Sequence, residues 1–272
     1  MTALLTMARR VAASEVVSTA RAQARELARS KRGRALAVLT LTAGALPAIA
    51  RAVLAGGRDG GRVADASAYV SSLAGTFGVE AARSLSSQPA ALVLLAALTL
   101  LFGPLVVLAA GFDVTPRDRA RRDGAPAIVF GRWLGLWAAV AGTMLAVHVV
   151  VWLAVIVGGG RPSAVFASGM RLWFAGALAA LPYAGLAVLA SVVSTRTSLR
   201  LLFGLVMVVV LGLTGAGRVL PGAAAAFILP SAHDAALLVG PPLALLAAAG
   251  MLALWAAGSL TLSVGLLRWR TR

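Results

Sequence analysis

Residues 133–157 read WLGLWAAVAGTMLAVHVVVWLAVIV, an apolar run of 25 residues without a carboxylate, lysine or arginine. A helix needs about 17–25 apolar residues to cross the ~30 Å hydrocarbon layer of a bilayer, so this run is long enough to span one. Five more apolar runs flank it. The six predicted spans are residues 35–54, 89–112, 133–157, 172–193, 201–217 and 243–267. The pattern predicts an all-α integral membrane protein with six transmembrane helices.

The composition agrees with this fold class. The chain has 272 residues, of which 60% are hydrophobic and 12% are charged, whereas soluble domains are roughly 45–50% apolar and ~25% charged. It contains no cysteine, which excludes disulfides, thiolate metal sites and cysteine nucleophiles. The net charge of +16 is divided among loops between spans, so the lipid bilayer, with its anionic headgroups, is the expected counterpart rather than nucleic acid.

The distribution of basic residues predicts the orientation. Eighteen of the 25 basic residues fall on one side of the six predicted spans and seven on the other. The positive-inside rule therefore places both termini in the cytoplasm, which requires an even number of spans. We expect a multi-pass protein of the bacterial inner (plasma) membrane.

The chain divides into a cytoplasmic N-terminal segment, residues 1–34, and a six-span domain, residues 35–272. Residues 15–34 have an amphipathic pattern, because Arg21, Arg25, Arg29 and Arg32 fall within one quadrant of a helix beside an apolar arc. This favours an interfacial helix whose apolar side faces the acyl chains. A plain cytoplasmic extension of span one is the alternative. Gly33 favours a break between this helix and span one.

The most charged stretch, DVTPRDRARRDGAP at residues 113–126, joins spans two and three. Its mixed charges suit docking on a charged protein surface, since lipid anchoring favours uniformly basic segments. A solvated surface loop is the alternative interpretation.

Two prolines and one histidine within the predicted spans are candidates for special roles. Pro104 in span two and Pro182 in span four each remove an amide donor and predict a bend; a moving hinge and a static bend are both open.

His148 in span three could serve as a proton relay or ligand. A structural hydrogen bond is favoured, because no carboxylate lies in any predicted span.

The connection between spans five and six contains LPSAHD, residues 229–234. The spacing of Ser231 and Asp234 matches a capping box and predicts a short outer helix with Ser231 as its N-cap. Capping suffices to explain both residues, so neither is expected to bind substrate. A second short outer helix is predicted within residues 65–85.

Motifs for energy conversion and catalysis are missing from the sequence. A P-loop requires a glycine-rich loop ending in Gly-Lys-Ser/Thr, whereas the single lysine, Lys31, is followed by Arg32. The chain also has no H-E-x-x-H motif and no nucleophile elbow. The sequence thus predicts no catalytic site and no metal site, and it identifies no substrate-binding residue. A transporter of this kind must draw its energy from a partner.

Four segments, in this order, resemble the membrane subunit of a type-2 ABC exporter (ABC-2 transporter), in the NosY-like subgroup. RELARSKRGR at 25–34 is similar to the family's basic elbow helix before span one. Residues 103–114, with Gly-Pro-Leu and then Gly-Phe-Asp-Val, resemble the end of span two. GRWLG at 131–135 resembles the G-K-x-L-G that opens span three, and residues 229–234 resemble an outer N-P-x-D segment.

The resemblance implies a permease dimer, a homodimer or a heterodimer, joined to cytoplasmic ATP-binding-cassette ATPase subunits. Those partners would bind ATP and Mg, and this chain would need no cofactor of its own. The implied ATPase-coupling loop comprises Asp113, Arg117, Asp118, Arg119, Arg121, Arg122, Asp123 and Gly124. The implied elbow helix carries Arg25, Glu26, Arg29, Lys31 and Arg32. The loop departs from the family pattern, since it is shorter and lacks the Glu-rich turn ending in Gly-Thr.

The function implied is export of an unidentified substrate, driven by ATP hydrolysis in the partner subunit. Spans with few polar side chains fit a hydrophobic or amphiphilic cargo better than a bare ion, although lipid alone demands the same composition. A non-transporting scaffold or assembly factor that docks a cytoplasmic partner is the alternative. An intramembrane enzyme is disfavoured, because no paired polar residues lie within the spans.

Overall fold

The computed structural model describes residues 2–54, 79–86, 88–111, 125–194 and 230–270, with three isolated positions between 199 and 206. These ranges consist of helices and short turns and contain no strand. The predicted all-α class is confirmed for this part of the chain.

Nine α-helices are described. They are α1 (Thr2–Arg29), α2 (Lys31–Thr40), α3 (Leu46–Leu54), α4 (Val79–Ser86), α5 (Ala90–Ala110), α6 (Ala125–Val157), α7 (Pro162–Val193), α8 (Asp234–Val239) and α9 (Pro242–Arg270). A π-helical turn, Leu41–Ala45, joins α2 to α3, and a 3₁₀ turn, Pro230–His233, precedes α8.

Three of these helices are long and apolar enough to cross a membrane, namely α6, α7 and α9. They indicate a membrane-embedded protein. The predicted spans one and two coincide with α2–α3 and with the 21-residue α5, whereas span five, residues 201–217, lies almost wholly outside the described residues. Six spans and the orientation of the termini therefore remain predictions.

Two helices begin earlier than hydropathy predicted. Helix α6 starts at Ala125 rather than Trp133, and α7 starts at Pro162 rather than Leu172. Both helices have a proline in the first turn, Pro126 and Pro162, where the missing amide costs nothing because the first N–H groups have no partner within the helix. Residues 125 and 126, which we assigned to the charged loop, are therefore helical.

Pro47 explains the π-helical turn in the middle of span one. A proline ring clashes with the carbonyl four residues earlier, here that of Ala43, which lies within Leu41–Ala45. A π turn is wider than an α turn, so it gives the proline ring room between α2 and α3.

Helix α7 is at the centre of the packing. In its most apolar window 78% of the residues are buried, compared with 28% in α9. At one end of the bundle, the start of α6 meets the ends of α7 and α9 through Ala125, Val192 and Leu267. Gly111, just after α5, packs there on Ala187. We call this the basal end; it is the end for which the sequence predicts a cytoplasmic location.

Tryptophan side chains form hydrogen bonds between α6 and α7. The indole N–H groups of Trp137 and Trp133 donate to the carbonyls of Ala177 (2.8 Å) and Leu181 (3.3 Å), and Trp173 donates to Ala141 (3.0 Å). Interhelical hydrogen bonds of this kind contribute roughly 0.6 kcal/mol each in membrane proteins. Two of their acceptors, the carbonyls of Ala177 and Leu181, lie just before Pro182, which is buried within a continuous helix.

Pro104 is also buried inside a continuous helix, α5, next to Gly103, which lies close to Met144 of α6. Both prolines thus lie at packed helix contacts. A hinge role for either remains a prediction.

Candidate functional site

The N-terminal helix α1 lies against α6 near the basal end, and two glycines make this close approach possible. A methyl group on Gly131 would come within 2.6 Å of Thr19 Cβ and 2.9 Å of the Val16 carbonyl oxygen. One on Gly135 would press into the Ala20 carbonyl and lie 2.8 Å from Gln23 Cβ. Glycines four residues apart form a shallow groove that lets two helix backbones approach each other. Helix α1 therefore packs on the GRWLG segment of α6.

Arg132, between these glycines, is held by α1. Its guanidinium is buried, donates a hydrogen bond to Gln23 Oε1, and lies 3.8 Å from a carboxylate oxygen of Glu26, which is half-exposed. A buried charge is tolerated only with partners of this kind. Glu26, predicted as an elbow residue, thus pairs with Arg132 of the GRWLG segment.

The docking of α1 corrects one expectation. The apolar arc of this helix was expected to face the acyl chains, but Ala20 is buried and the half-buried Leu27 packs on the cluster formed by α5, α6 and α7. Part of this arc therefore contacts protein, while Val17, which is 45% exposed, and Ala28 remain on the surface. Arg25 and Arg29 are exposed on the outer side of α1.

The break after α1 occurs at Ser30, not at Gly33. Ser30 has an extended backbone conformation, and its hydroxyl accepts a hydrogen bond from the Gly33 amide at 2.8 Å, which caps α2. Lys31 and Arg32 therefore belong to the first turn of α2 and not to the elbow helix. Gly33 is still required at this turn, since a side chain there would collide with the Leu27 carbonyl.

All residues of the predicted coupling loop, Asp113 to Gly124, lie outside the described residues, but both of its anchors are described. Gly111 and Ala125 are buried at the basal end of the bundle. The loop therefore starts and finishes on packed helices, one of which is the helix that carries α1.

His148 makes a hydrogen bond within its own helix. It is 1% exposed, and its Nδ1 lies 2.8 Å from the Met144 carbonyl oxygen. A carbonyl only accepts, so Nδ1 carries the proton. Its ring meets the Trp152 ring edge-on at 6.3 Å. The expected structural hydrogen bond is confirmed, and the described residues contain no group of three or more potential metal ligands.

The interpretation of Ser231 and Asp234 as a capping box was wrong. Ser231 lies within the 3₁₀ turn, and α8 begins at Asp234 with His233 in the N-cap position. Leu237 and Leu238, both 1% exposed, anchor α8 in the apolar core. This packing brings Asp234 within electrostatic reach of Tyr183, a buried residue of α7.

Asp234 is the functional candidate that sequence reasoning missed. The residue keeps part of its surface accessible, but burial of its carboxyl group raises its pKa from 3.8 to about 8. Carboxyl groups perturbed in this way by burial cluster at functional sites. The available signal was the Leu-Leu pair three residues after Asp234, which predicts an inward-facing helix rather than a surface turn.

The raised pKa of Asp234 predicts a pH-dependent stability. Because the folded chain holds this proton more tightly than the unfolded chain, the free energy of unfolding falls as pH rises towards 8 and then levels off. Between pH 6.5 and 8.5 the loss should be about 2 kcal/mol. We expect Asp234→Asn to remove this part of the pH dependence, measured as the midpoint of thermal unfolding at the two pH values. Equal pH dependence in both proteins would contradict the assignment.

Comparison with known proteins adds no relative: no protein-family model matches the chain, and no curated protein matches it.

Proposed function

We propose that this chain is the membrane-spanning permease subunit of an ATP-binding-cassette exporter of the type-2 class, located in a bacterial inner membrane. The observation that supports this most directly is the docking of α1 on the GRWLG segment. GRWLG and RELARSKRGR each resemble a motif of that family. The residues of α1 just before the second motif pack on GRWLG, and Glu26 within it lies 3.8 Å from Arg132.

The basal end suits the transfer of force from a partner. Helix α6 follows the charged loop directly, carries α1 on its first turns, and is tied to the central helix α7 by tryptophan hydrogen bonds. A push on the loop would therefore move α1, α6 and α7 together. In the proposed cycle, closure of ATP-loaded partner subunits biases the bundle between inward-facing and outward-facing states, which is rigid-body switching by a ligand bound elsewhere.

This proposal is tested by isolating the chain with its partners. We expect a tagged chain, purified in mild detergent from the membranes of its own cells, to retain a protein that carries a P-loop. The reconstituted complex should hydrolyse ATP. Recovery of the chain at full yield with a stable partner that lacks a P-loop, and without ATP hydrolysis, would instead favour the scaffold alternative.

A further inference from the structure

The outward side of α1, opposite its contact with α6, is basic. Residues of α1 between Val16 and Gln23 make that contact. At about 100° per residue, Arg21, Arg25 and Arg29 all fall on the opposite side of the helix, with Arg25 in the middle. All three are exposed. Because α1 is one continuous helix, the Cβ atoms of neighbouring members lie about 5–6 Å apart. We call these three residues the arginine row.

The arginine row has no acidic partner in the part of the chain that the structure describes. None of its members forms an ion pair or a side-chain hydrogen bond there, and Glu26, the acid next to Arg25, is directed at Arg132. The helix dipole accounts for Arg29, which lies in the last turn of α1, but its effect does not reach Arg21. Like charges four residues apart destabilise a helix. The row therefore indicates an external anionic partner.

The position of α1 favours lipid headgroups as that partner. Leu27, between two members of the row, packs on the same apolar cluster as Trp133 and Trp137 of α6, and tryptophans are enriched at the membrane–water interface. Within α2 the exposed surface changes from Arg34 to Val38, which is 58% exposed, over a helix rise of about 6 Å. That rise is about the thickness of one headgroup layer. The arginine row, just before α2, therefore lies near the depth of the phosphate groups.

We propose that the arginine row binds the phosphate groups of anionic phospholipids in the leaflet at the basal end of the bundle. Guanidinium groups bind phosphate through paired, charge-assisted hydrogen bonds, and a uniformly basic surface suits an anionic membrane. Helix α1 is then held by α6 on one side and by headgroups on the other, so it meets the membrane through its arginines and not through its apolar arc. This inference does not rest on the proposed function, because it concerns lipid and not transport.

The test uses the full chain with a single fluorophore beside the arginine row. The chain contains no cysteine, so Ala22→Cys, at an exposed position of α1, provides one attachment site. The labelled protein is placed in phosphatidylcholine nanodiscs that contain a small fraction of a nitroxide-bearing quencher lipid. The quencher is either a phosphatidylglycerol or a phosphatidylcholine with the nitroxide at the same position of the acyl chain. The measured quantity is the ratio of the two quenching constants, phosphatidylglycerol over phosphatidylcholine.

We expect this ratio to be at least tenfold at 0.1 M salt, because each arginine near an anionic surface contributes a factor of roughly five. The ratio should fall towards one at 1 M salt, where the Debye length decreases from about 10 Å to about 3 Å. A ratio close to one at both salt concentrations would overturn the inference and leave an acidic protein surface as the partner of the arginine row.

A matched pair of double variants makes the assignment specific. Arg21→Gln with Arg25→Gln should lower the ratio at least fivefold, and glutamine keeps the helix propensity of arginine, so α1 should stay folded. Arg83→Gln with Arg161→Gln removes the same charge from exposed positions at the opposite end of the bundle and should leave the ratio within about twofold of the parent. Equal losses in the two double variants would show general charge attraction and would also overturn the inference.

Discussion

Replacing Gly135 with leucine is expected to release α1 from α6. The new Cβ would meet the Ala20 carbonyl and the Cα of the same residue at 3.0 Å, and both atoms belong to backbone that cannot rotate away. Overpacking of this kind typically costs about 1–3 kcal/mol. Here the two helices must also separate, which removes Gln23 from the buried Arg132, so the cost to the docked state should lie at the upper end, about 3 kcal/mol.

Limited trypsin digestion measures this release, because α1 exposes Arg21 and Arg25 along its outer side. Cleavage within a locally undocked helix follows the population of the open state, and about 3 kcal/mol corresponds to roughly a hundredfold change in that population. We expect cleavage after these arginines to accelerate by at least tenfold in Gly135→Leu.

The same helix offers a matched control. Gly142 lies two turns further along α6, and a Cβ added there would meet nothing within 4 Å. Gly142→Leu should therefore leave α1 docked and the digestion rate unchanged. If Gly135→Leu and Gly142→Leu are cleaved at equal rates, α1 does not pack on the GRWLG segment.

The sequence predicted the helices far better than their ends. Hydropathy measures which residues suit hydrocarbon, and it located the apolar segments of α5, α6, α7 and α9. A helix, however, continues as long as its backbone hydrogen bonds do, and residues 125–132 are helical although Pro126, Gly131 and Arg132 interrupt their apolar character. Predicting where α6 and α7 begin therefore requires Pro126 and Pro162 to be interpreted as first-turn residues of a helix and not as loop residues.

Tertiary contacts were the harder part to predict. The amphipathic pattern of α1 identifies an apolar face, but periodicity does not distinguish a lipid surface from another helix. The two glycines at 131 and 135 were the signal for a helix partner, and only the structure shows which helix fills the groove. Asp234 is a similar case, because the helix that it begins packs on α7 and α4, which are distant in the sequence.

The largest expected effect on function comes from the loop that joins α5 to α6. We expect the combined reversal Arg117→Glu, Asp118→Arg and Arg121→Glu to abolish ATPase stimulation and transport in the reconstituted complex. The reason is electrostatic, since a charged docking surface that meets like charges at each position loses several kcal/mol of binding free energy. The loop is tethered at Gly111 and Ala125, both buried, so the reversal should leave the helix bundle folded.

A second triple reversal provides the control. Arg58, Asp59 and Arg62 have the same charges in the same order, on the side predicted to face away from the cytoplasm. Reversing these three residues should leave ATPase stimulation within about twofold of the parent, because surface charges outside an interface contribute little. ATP hydrolysis and transport would be measured side by side, with the thermal unfolding midpoint as the check on folding. If the 117–121 variant keeps full ATPase stimulation and transport, with a helix bundle as stable as the parent's, this loop does not dock the ATPase. The proposed transfer of force through the loop to α6 would then be refuted as well.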